Sequence, residues 1–88
     1  MPSRTVEMRN KRGLHARASA KFVTLAAVQG AEVAVEKDGN KVCGTSIMGL
    51  MMLGAAMGDS ITIHAEGDGA EDAVAALTAL VEDRFGED

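Results

Sequence analysis

The sequence predicts an α+β domain in which helices cover one face of an open sheet. Its 88 residues suffice for one domain, expected to span residues 1–88. Four short segments alternate apolar and polar side chains, and three others carry an apolar stripe at helical spacing. Their order is βαββαβα. Segments with a single apolar face pack most simply as a two-layer sandwich, with a four-stranded antiparallel sheet and three helices on one face.

A short polar loop separates the first strand from the first helix. Residues 5–8 alternate between polar and apolar side chains, as a half-buried strand does. Residues 10–13 are polar and end in glycine, which is typical of a loop. Helical spacing then covers residues 15–29, and Gly30 is expected to end the helix in a left-handed conformation. The expected stripe consists of Ala16, Ala20, Val23 and Ala27, broadened by Phe22 and Ala26.

A hairpin and a short helix are expected next. Residues 31–36 and 41–43 are predicted to pair as strands, because the Asp-Gly step between them is a strong hairpin signal. Ser46 is expected to cap a helix over residues 47–53, since its hydroxyl can accept a hydrogen bond from the first turn. Gly54 is expected to end this helix.

A strand and a longer helix complete the domain. Residues 60–65 are the clearest strand, and their alternation places His64 on the polar face, opposite Ile61, Ile63 and Ala65. Apolar residues repeat at intervals of three and four over residues 70–81, which predicts an amphipathic helix. Asp68 is expected to cap it, with a glutamate three residues later. Residues 86–88 are expected to fray.

The composition excludes several classes of site and partner. A lone Cys43 forms no internal disulfide, and two histidines have no spacing that links them to it as metal ligands, so no metal or cofactor is expected. A net charge of −4 and 2% aromatic residues argue against nucleic-acid binding. No signal peptide and no membrane insertion are expected, which predicts a cytoplasmic protein.

The charges are unevenly distributed along the chain. Six of the nine basic residues lie within the first 21 positions, whereas the segment from Asp59 onward holds nine acids and one base. This asymmetry indicates an anion-handling N-terminal part and a solvated acidic C-terminal part. A surface of mixed charges without functional meaning is the alternative.

His15 stands where a glycine loop enters the first predicted helix. The first backbone N–H groups of a helix lack intrahelical partners, and its N-terminus carries partial positive charge, so this end can bind an anion. A phosphoryl group on His15 would meet the backbone N–H groups of Ala16 and Arg17 and the Arg17 guanidinium. The simpler interpretation is that His15 is an exposed capping residue. Its replacement is then expected to have little effect on folding. The sequence places no second acid or base near His15.

Two further features have a structural and a functional interpretation. Ser46 is explained as an N-cap alone, but a phosphate there would be compatible with the helix dipole and would add negative charge. The helix over residues 47–53 is too short to bury all its apolar residues. Some of its methionines are therefore expected to be exposed as an adaptable interaction patch.

Two motifs resemble those of a known family. The segment Gly13-Leu14-His15-Ala16-Arg17, followed by Ser46-Ile47-Met48-Gly49-Leu50-Met51-Met52-Leu53-Gly54, is similar to the HPr family, the histidine-containing phosphocarriers of the phosphoenolpyruvate-dependent phosphotransferase system. The likeness covers nearly the whole chain, including the separation of the two motifs. It implies an HPr-like open-faced β-sandwich.

The resemblance also implies a function. His15 would accept a phosphoryl group on Nδ1 from phosphorylated enzyme I and pass it to an enzyme IIA, with help from Arg17. Ser46 would match the position that an HPr kinase/phosphorylase modifies in many bacteria. The chain would be a monomeric carrier that relies on partner enzymes rather than an enzyme itself. The implied docking residues are Ala16, Ala20, Ile47, Met48, Met51 and Met52.

One position departs from the family pattern, since many members have proline where this chain has Ala18. Either residue suits a first helical turn. The surrounding residues resemble a branch that often serves nitrogen or carbon regulation, so sugar uptake and regulation both stay open. The rival class is a small regulatory adaptor or ligand-binding αβ domain without phosphoryl transfer.

Overall fold

The computed structural model describes residues 2–87, which form four strands, three α-helices and one 3₁₀ turn. The order βαββαβα is as predicted. The elements are β1 (Ser3–Glu7), α1 (Ala16–Ala27), β2 (Glu32–Lys37), β3 (Asn40–Cys43), α2 (Ile47–Met52), β4 (Ser60–Glu66), α3 (Ala70–Glu82) and the 3₁₀ turn (Arg84–Gly86). Within residues 2–87, no helix has the length and apolar character needed to cross a membrane.

The strands form one antiparallel sheet in the order β1-β4-β2-β3. The register places Val6 opposite Ile61, and Val35 opposite Ile63. All four side chains are buried, because these positions face the helices. The predicted inward direction of Ile61, Ile63 and Ala65 is confirmed, and the open face carries the alternate, polar residues.

The core lies between this apolar sheet face and the helices. Its largest fully buried side chains include Phe22, Phe85, Met8, Leu50 and Leu77. Two aromatic residues in 88 leave most of the volume to aliphatic side chains, as the composition predicted.

The buried face of α1 differs from the predicted stripe. Ala18, Ser19, Phe22 and Ala26 are buried, whereas Ala16 and Ala27 are exposed. The buried face is rotated relative to the predicted stripe because Phe22 fills the core. Residues four positions before and after it, Ala18 and Ala26, lie on the same side of the helix and are buried with it. Ala16 and Ala20 therefore lie outside the buried stripe.

Two of the predicted helix boundaries are wrong. α1 ends at Ala27, with Val28 as a right-handed C-cap that donates to the Leu25 carbonyl at 3.3 Å, so Gly30 does not adopt the left-handed stop. α3 begins after Gly69, which has a φ of 79°. The chain turns into α3 at this glycine, which leaves Asp68 one position outside the cap.

The predicted turn and cap of the central region are confirmed. Asp38 and Gly39 both have positive φ, as a tight hairpin turn requires. The Ser46 hydroxyl accepts a hydrogen bond from the Gly49 N–H at 3.0 Å, and Gly54 is left-handed with a φ of 65°.

The C-terminal segment does not fray over residues 86 and 87. Phe85 is fully buried, and its carbonyl accepts a hydrogen bond from the Lys21 ammonium at 2.6 Å. The buried aromatic ring of Phe85 holds the neighbouring residues in place. The prediction of fraying considered only their polar and glycine-rich composition. Residue 88, which the fraying prediction also included, lies outside the described residues.

Candidate functional site at the start of helix α1

The loop before α1 is fixed by close backbone contacts. Gly13 has a φ of 60°, and a β-carbon at this position would lie 2.0 Å from the Ala55 carbonyl oxygen. The neighbouring Leu14 N–H donates to the same oxygen at 2.9 Å. The buried Asn10 amide donates to the Gly13 carbonyl at 2.8 Å. These contacts set the direction in which the chain enters α1.

His15 is the N-cap residue of α1. Its backbone is extended, and its carbonyl accepts the first helical hydrogen bond, from Ser19, at 2.9 Å. Its Nδ1 accepts a hydrogen bond from the Arg17 backbone N–H at 3.3 Å. The unprotonated side of the ring therefore faces the first-turn amides.

The other ring nitrogen meets a carboxylate from the far end of the chain. His15 Nε2 lies 2.6 Å from Glu87 Oε2, and Glu87 Oε1 accepts from the Asn10 amide at 3.1 Å. Desolvation acts to raise the pKa of Glu87, but the hydrogen bonds from Asn10 and His15, with the nearby charge of Lys21, outweigh it and lower the pKa. Glu87 is thus held as an anion against the ring.

These contacts make His15 less exposed than the sequence suggested. Its side chain retains 20% of its accessible surface, and that of Glu87 retains 19%. The expectation of a freely exposed histidine is therefore wrong, because the C-terminal segment covers the Nε2 side. The basic N-terminal part and the acidic C-terminal part, distant in sequence, meet at this ring.

Several exposed basic residues lie in the loop before α1 and in its first turn. Arg9, Lys11, Arg12 and Arg17 are exposed, and the first turn of α1 contains no acidic residue. Within residues 2–87, the Arg17 guanidinium has no carboxylate within 4.0 Å. The helix end and these cations together favour an anion at the Nδ1 side of His15.

Helix α2 lies beside α1 and presents an apolar surface. Its single fully buried side chain is Leu50, whereas Met48 is 69% and Met52 is 80% exposed. We define the α2 patch as the four exposed apolar residues of this helix, Ile47, Met48, Met51 and Met52. Ser46 is the partly buried cap at its start.

The remaining histidine and the cysteine lie on the open face of the sheet. His64 pairs with Glu36 at 2.9 Å, and Cys43 is exposed with its thiol 3.1 Å from the Thr45 hydroxyl. Ala34 separates them, since it is the register partner of both. Among residues 2–87, no three His, Cys, Asp or Glu side chains are arranged to hold a metal ion.

Sequence reasoning missed two members of the site. The sequence places no second acid or base near His15, but the fold does, because Glu87 contacts the ring. Asn10, taken as part of a polar loop, is buried and holds both the loop and Glu87. The sequence signal that points to Glu87 is Phe85. A lone aromatic residue close to the C-terminus is a candidate core residue, and its burial would place the neighbouring residues against the domain.

Comparisons with known proteins agree with this geometry. Residues 2–83 match the family model described as PTS HPr component phosphorylation site. The chain is 47% identical to a Neisseria meningitidis phosphocarrier protein HPr and 44% identical to that of Cupriavidus necator, in each case over 99% of this chain and 98% of the relative. It superposes on the crystal structure of HPr-C-His from Thermoanaerobacter tengcongensis with a TM-score of 0.95 and 46% identity, covering 100% of this chain and 99% of that one.

Proposed function

Because the chain belongs to the HPr family of phosphocarrier proteins, we propose that His15 accepts a phosphoryl group on Nδ1 from phosphorylated enzyme I and passes it to an enzyme IIA. The observation that carries the proposal is the hydrogen bond between the Arg17 backbone N–H and His15 Nδ1. It marks Nδ1 as the ring atom with a free electron pair and places that atom at the N-terminus of α1.

The helix end offers the phosphoryl group a binding site that is already formed. Once Nδ1 carries the group, the Arg17 N–H is free to donate to a phosphoryl oxygen, and the Ala16 N–H lies in the same first turn. The Arg17 guanidinium, exposed and without a described carboxylate partner, supplies a charge-assisted hydrogen bond. Few groups are needed, since phosphoryl transfer depends mainly on positioning and charge neutralisation.

The chain acts as a carrier and its partners supply the catalysis. His15 is a side chain at a helix end, not in a substrate cleft, so a partner's active site must reach it. The carrier works as a monomer in the cytoplasm, where phosphoenolpyruvate and enzyme I are available, and it needs no cofactor. One domain comprising residues 1–88 is sufficient for this role.

The α2 patch, with Ala16 and Ala20 of α1, is the proposed docking surface. These residues lie on two neighbouring helices, and Ala16 directly follows the histidine that must enter the partner's active site. Methionine side chains adapt to different contours, which suits a carrier that binds enzyme I and an enzyme IIA in turn.

Ser46 is the proposed regulatory phosphorylation site. It caps the helix that carries the docking surface, so a phosphate there adds about −2 charge at the edge of the interface. The helix N-terminus accommodates that charge, which leaves the fold intact while an acidic partner is repelled. An HPr kinase/phosphorylase is the enzyme class that would add it.

The test of the carrier function compares the two histidines. The purified protein is incubated with enzyme I and phosphoenolpyruvate, and phosphorus NMR detects an acid-labile phosphohistidine. We expect His15→Ala to abolish this signal and His64→Ala to leave it unchanged, since His64 lies on the open face. A His15→Ala protein that is labelled as well as the wild type contradicts the proposal.

The downstream acceptor follows from a second step of the same experiment. Labelled protein is mixed with individual enzyme IIA proteins of a sugar branch and of a nitrogen branch, and loss of the phosphohistidine signal identifies the acceptor. A Ser46→Asp variant should be labelled more slowly at His15. Unaltered labelling of this variant contradicts the regulatory role of Ser46.

A further inference from the structure

We propose that Glu87 is a positioning residue for phosphoryl transfer at His15, acting through Nε2. The inference rests on the proposed carrier function and deepens it. Glu87 holds the ring so that Nδ1 faces the helix end, and it stabilises the positive charge that the ring gains when Nδ1 forms a bond to phosphorus.

The location of the ring proton follows from the two contacts of the ring. Nδ1 accepts from the Arg17 backbone N–H, so it carries no proton. The neutral ring therefore has its proton on Nε2, which donates it to Glu87 Oε2 at 2.6 Å. A carboxylate behind a reactive imidazole fixes both its tautomer and its orientation.

Glu87 is itself held from several directions. Its second oxygen accepts from the Asn10 amide, which is bonded in turn to the Gly13 carbonyl of the loop before α1. Two residues earlier, Phe85 is fully buried, and its carbonyl accepts from Lys21. The carboxylate is thus fixed to the loop and to α1, which distinguishes it from an exposed surface glutamate.

The charge changes during the reaction explain what the carboxylate contributes. The Nδ1 electron pair attacks phosphorus as the bond between phosphorus and the donor atom of phosphorylated enzyme I breaks, and the electron pair of that bond stays with the donor. His15, still protonated on Nε2, becomes a phosphorylated imidazolium. Glu87 stabilises this cation across the hydrogen bond that it already makes, and the charge disappears when an acceptor removes the phosphoryl group.

Few other charged groups act on this arrangement. Lys21, on α1, lowers the pKa of Glu87 and so favours the anion. Arg17 contacts the ring through its backbone N–H at Nδ1, on the side opposite Glu87. Glu87 is the only carboxylate among residues 2–87 within 4.0 Å of the His15 ring nitrogens.

The first test observes the unphosphorylated protein and does not depend on transfer. In a spectrum that correlates protons with nitrogen-15, the proton on Nε2 should give a strongly downfield proton signal. This proton should exchange slowly with water, because it is held in the hydrogen bond to Glu87. We expect Glu87→Ala to abolish that signal, whereas the charge-removing control Glu82→Gln, at an exposed position of α3, should keep it. An unchanged signal in Glu87→Ala overturns the inference even if the carrier function is correct.

The second test measures the stability of the phosphohistidine. A protonated phosphoimidazole loses its phosphoryl group faster than a neutral one, because a neutral imidazole is the better leaving group. Without the carboxylate, less of the ring is protonated, so Glu87→Gln should hydrolyse about three- to tenfold more slowly at pH 8. Glu82→Gln should match the wild type.

The outcomes separate this inference from the proposed function. A merely structural role of Glu87 would loosen the site and leave hydrolysis unchanged or faster, which overturns the inference. If enzyme I labels neither wild type nor variants, the carrier function fails, and the NMR signal alone decides the role of Glu87. Partial retention of the slow-exchanging proton in Glu87→Gln, which keeps an acceptor, supports the assignment.

Discussion

The backbone of Gly13 lies directly against the carbonyl group of Ala55, and a β-carbon on Gly13 would stand 2.0 Å from that oxygen. The same oxygen accepts the Leu14 N–H at 2.9 Å. The loop that delivers His15 is therefore positioned against the segment that follows α2. Two regions distant in sequence share one backbone contact, and each constrains the other.

This contact predicts that Gly13→Ala is strongly destabilising. The methyl group meets backbone atoms that cannot rotate away, in addition to the strain of a positive φ. We expect the free energy of unfolding to fall by about 3 kcal/mol or more. Gly39→Ala is the matched control, because Gly39 also has positive φ but has open space around it, and should cost about 1 kcal/mol. Urea unfolding of both variants measures the difference, and equal losses would contradict the steric explanation.

The Ser46 cap predicts a second stability difference. Ser46→Ala removes the acceptor of the Gly49 N–H and should lower the free energy of unfolding by about 1 kcal/mol. Ser46→Asp keeps an acceptor and adds a negative charge at a helix N-terminus, so its loss should be smaller. Thermal unfolding at neutral pH compares the two. A Ser46→Asp protein that is less stable than Ser46→Ala would show that the site does not tolerate an anion.

The α2 patch predicts a binding defect without a folding defect. Met52 is 80% exposed, so Met52→Asp should leave thermal unfolding unchanged while weakening binding to enzyme I about tenfold or more. Met57→Asp provides the control, since Met57 is also largely exposed but lies outside α2. Calorimetric titration with enzyme I distinguishes them. Equal weakening by both substitutions would point to a general charge effect instead of docking through α2.

The Glu87 contacts predict a pH-dependent contribution to stability. Because its pKa in the folded state is lowered from 4.5, ionised Glu87 stabilises the fold above that pH, and the contribution is lost as the pH falls through the folded-state pKa. Glu87→Gln should therefore be less stable than the wild type at about pH 6, by about 1 kcal/mol. Denaturant unfolding at several pH values should show the two proteins converging towards about pH 2. A constant difference over this range would mean that the charge of Glu87 has no part in it.

Much of the fold was predictable because its signals are local. The Asp-Gly turn, the Ser46 cap and the Gly54 stop each depend on the chemistry of one or two residues. The alternation of Ile61 and Ile63 similarly fixes which side of β4 faces the core. The prediction is wrong where two choices of buried face are both compatible with the local sequence. On α1, packing around Phe22 selects the face that is buried.

The site was predictable only in part, for a related reason. His15, Arg17 and Ser46 belong to short motifs, and their positions at helix starts follow from the sequence around them. The strand order and the approach of the C-terminal segment depend on contacts between distant residues, which no local pattern encodes. The local sequence consequently predicts a fraying end at Glu87, whereas the structure places this residue against His15.

The sequence by itself determined the order of elements, the helix-start position of His15 and the family to which the chain belongs. Only the tertiary structure decided which side of the His15 ring is open. The burial of Phe85 brings Glu87 to Nε2, and α1 supplies the Arg17 N–H to Nδ1. The physical reason is that a helix start is built by hydrogen bonds between near neighbours, whereas the orientation of a side chain on it is set by whichever distant residues the core brings into contact.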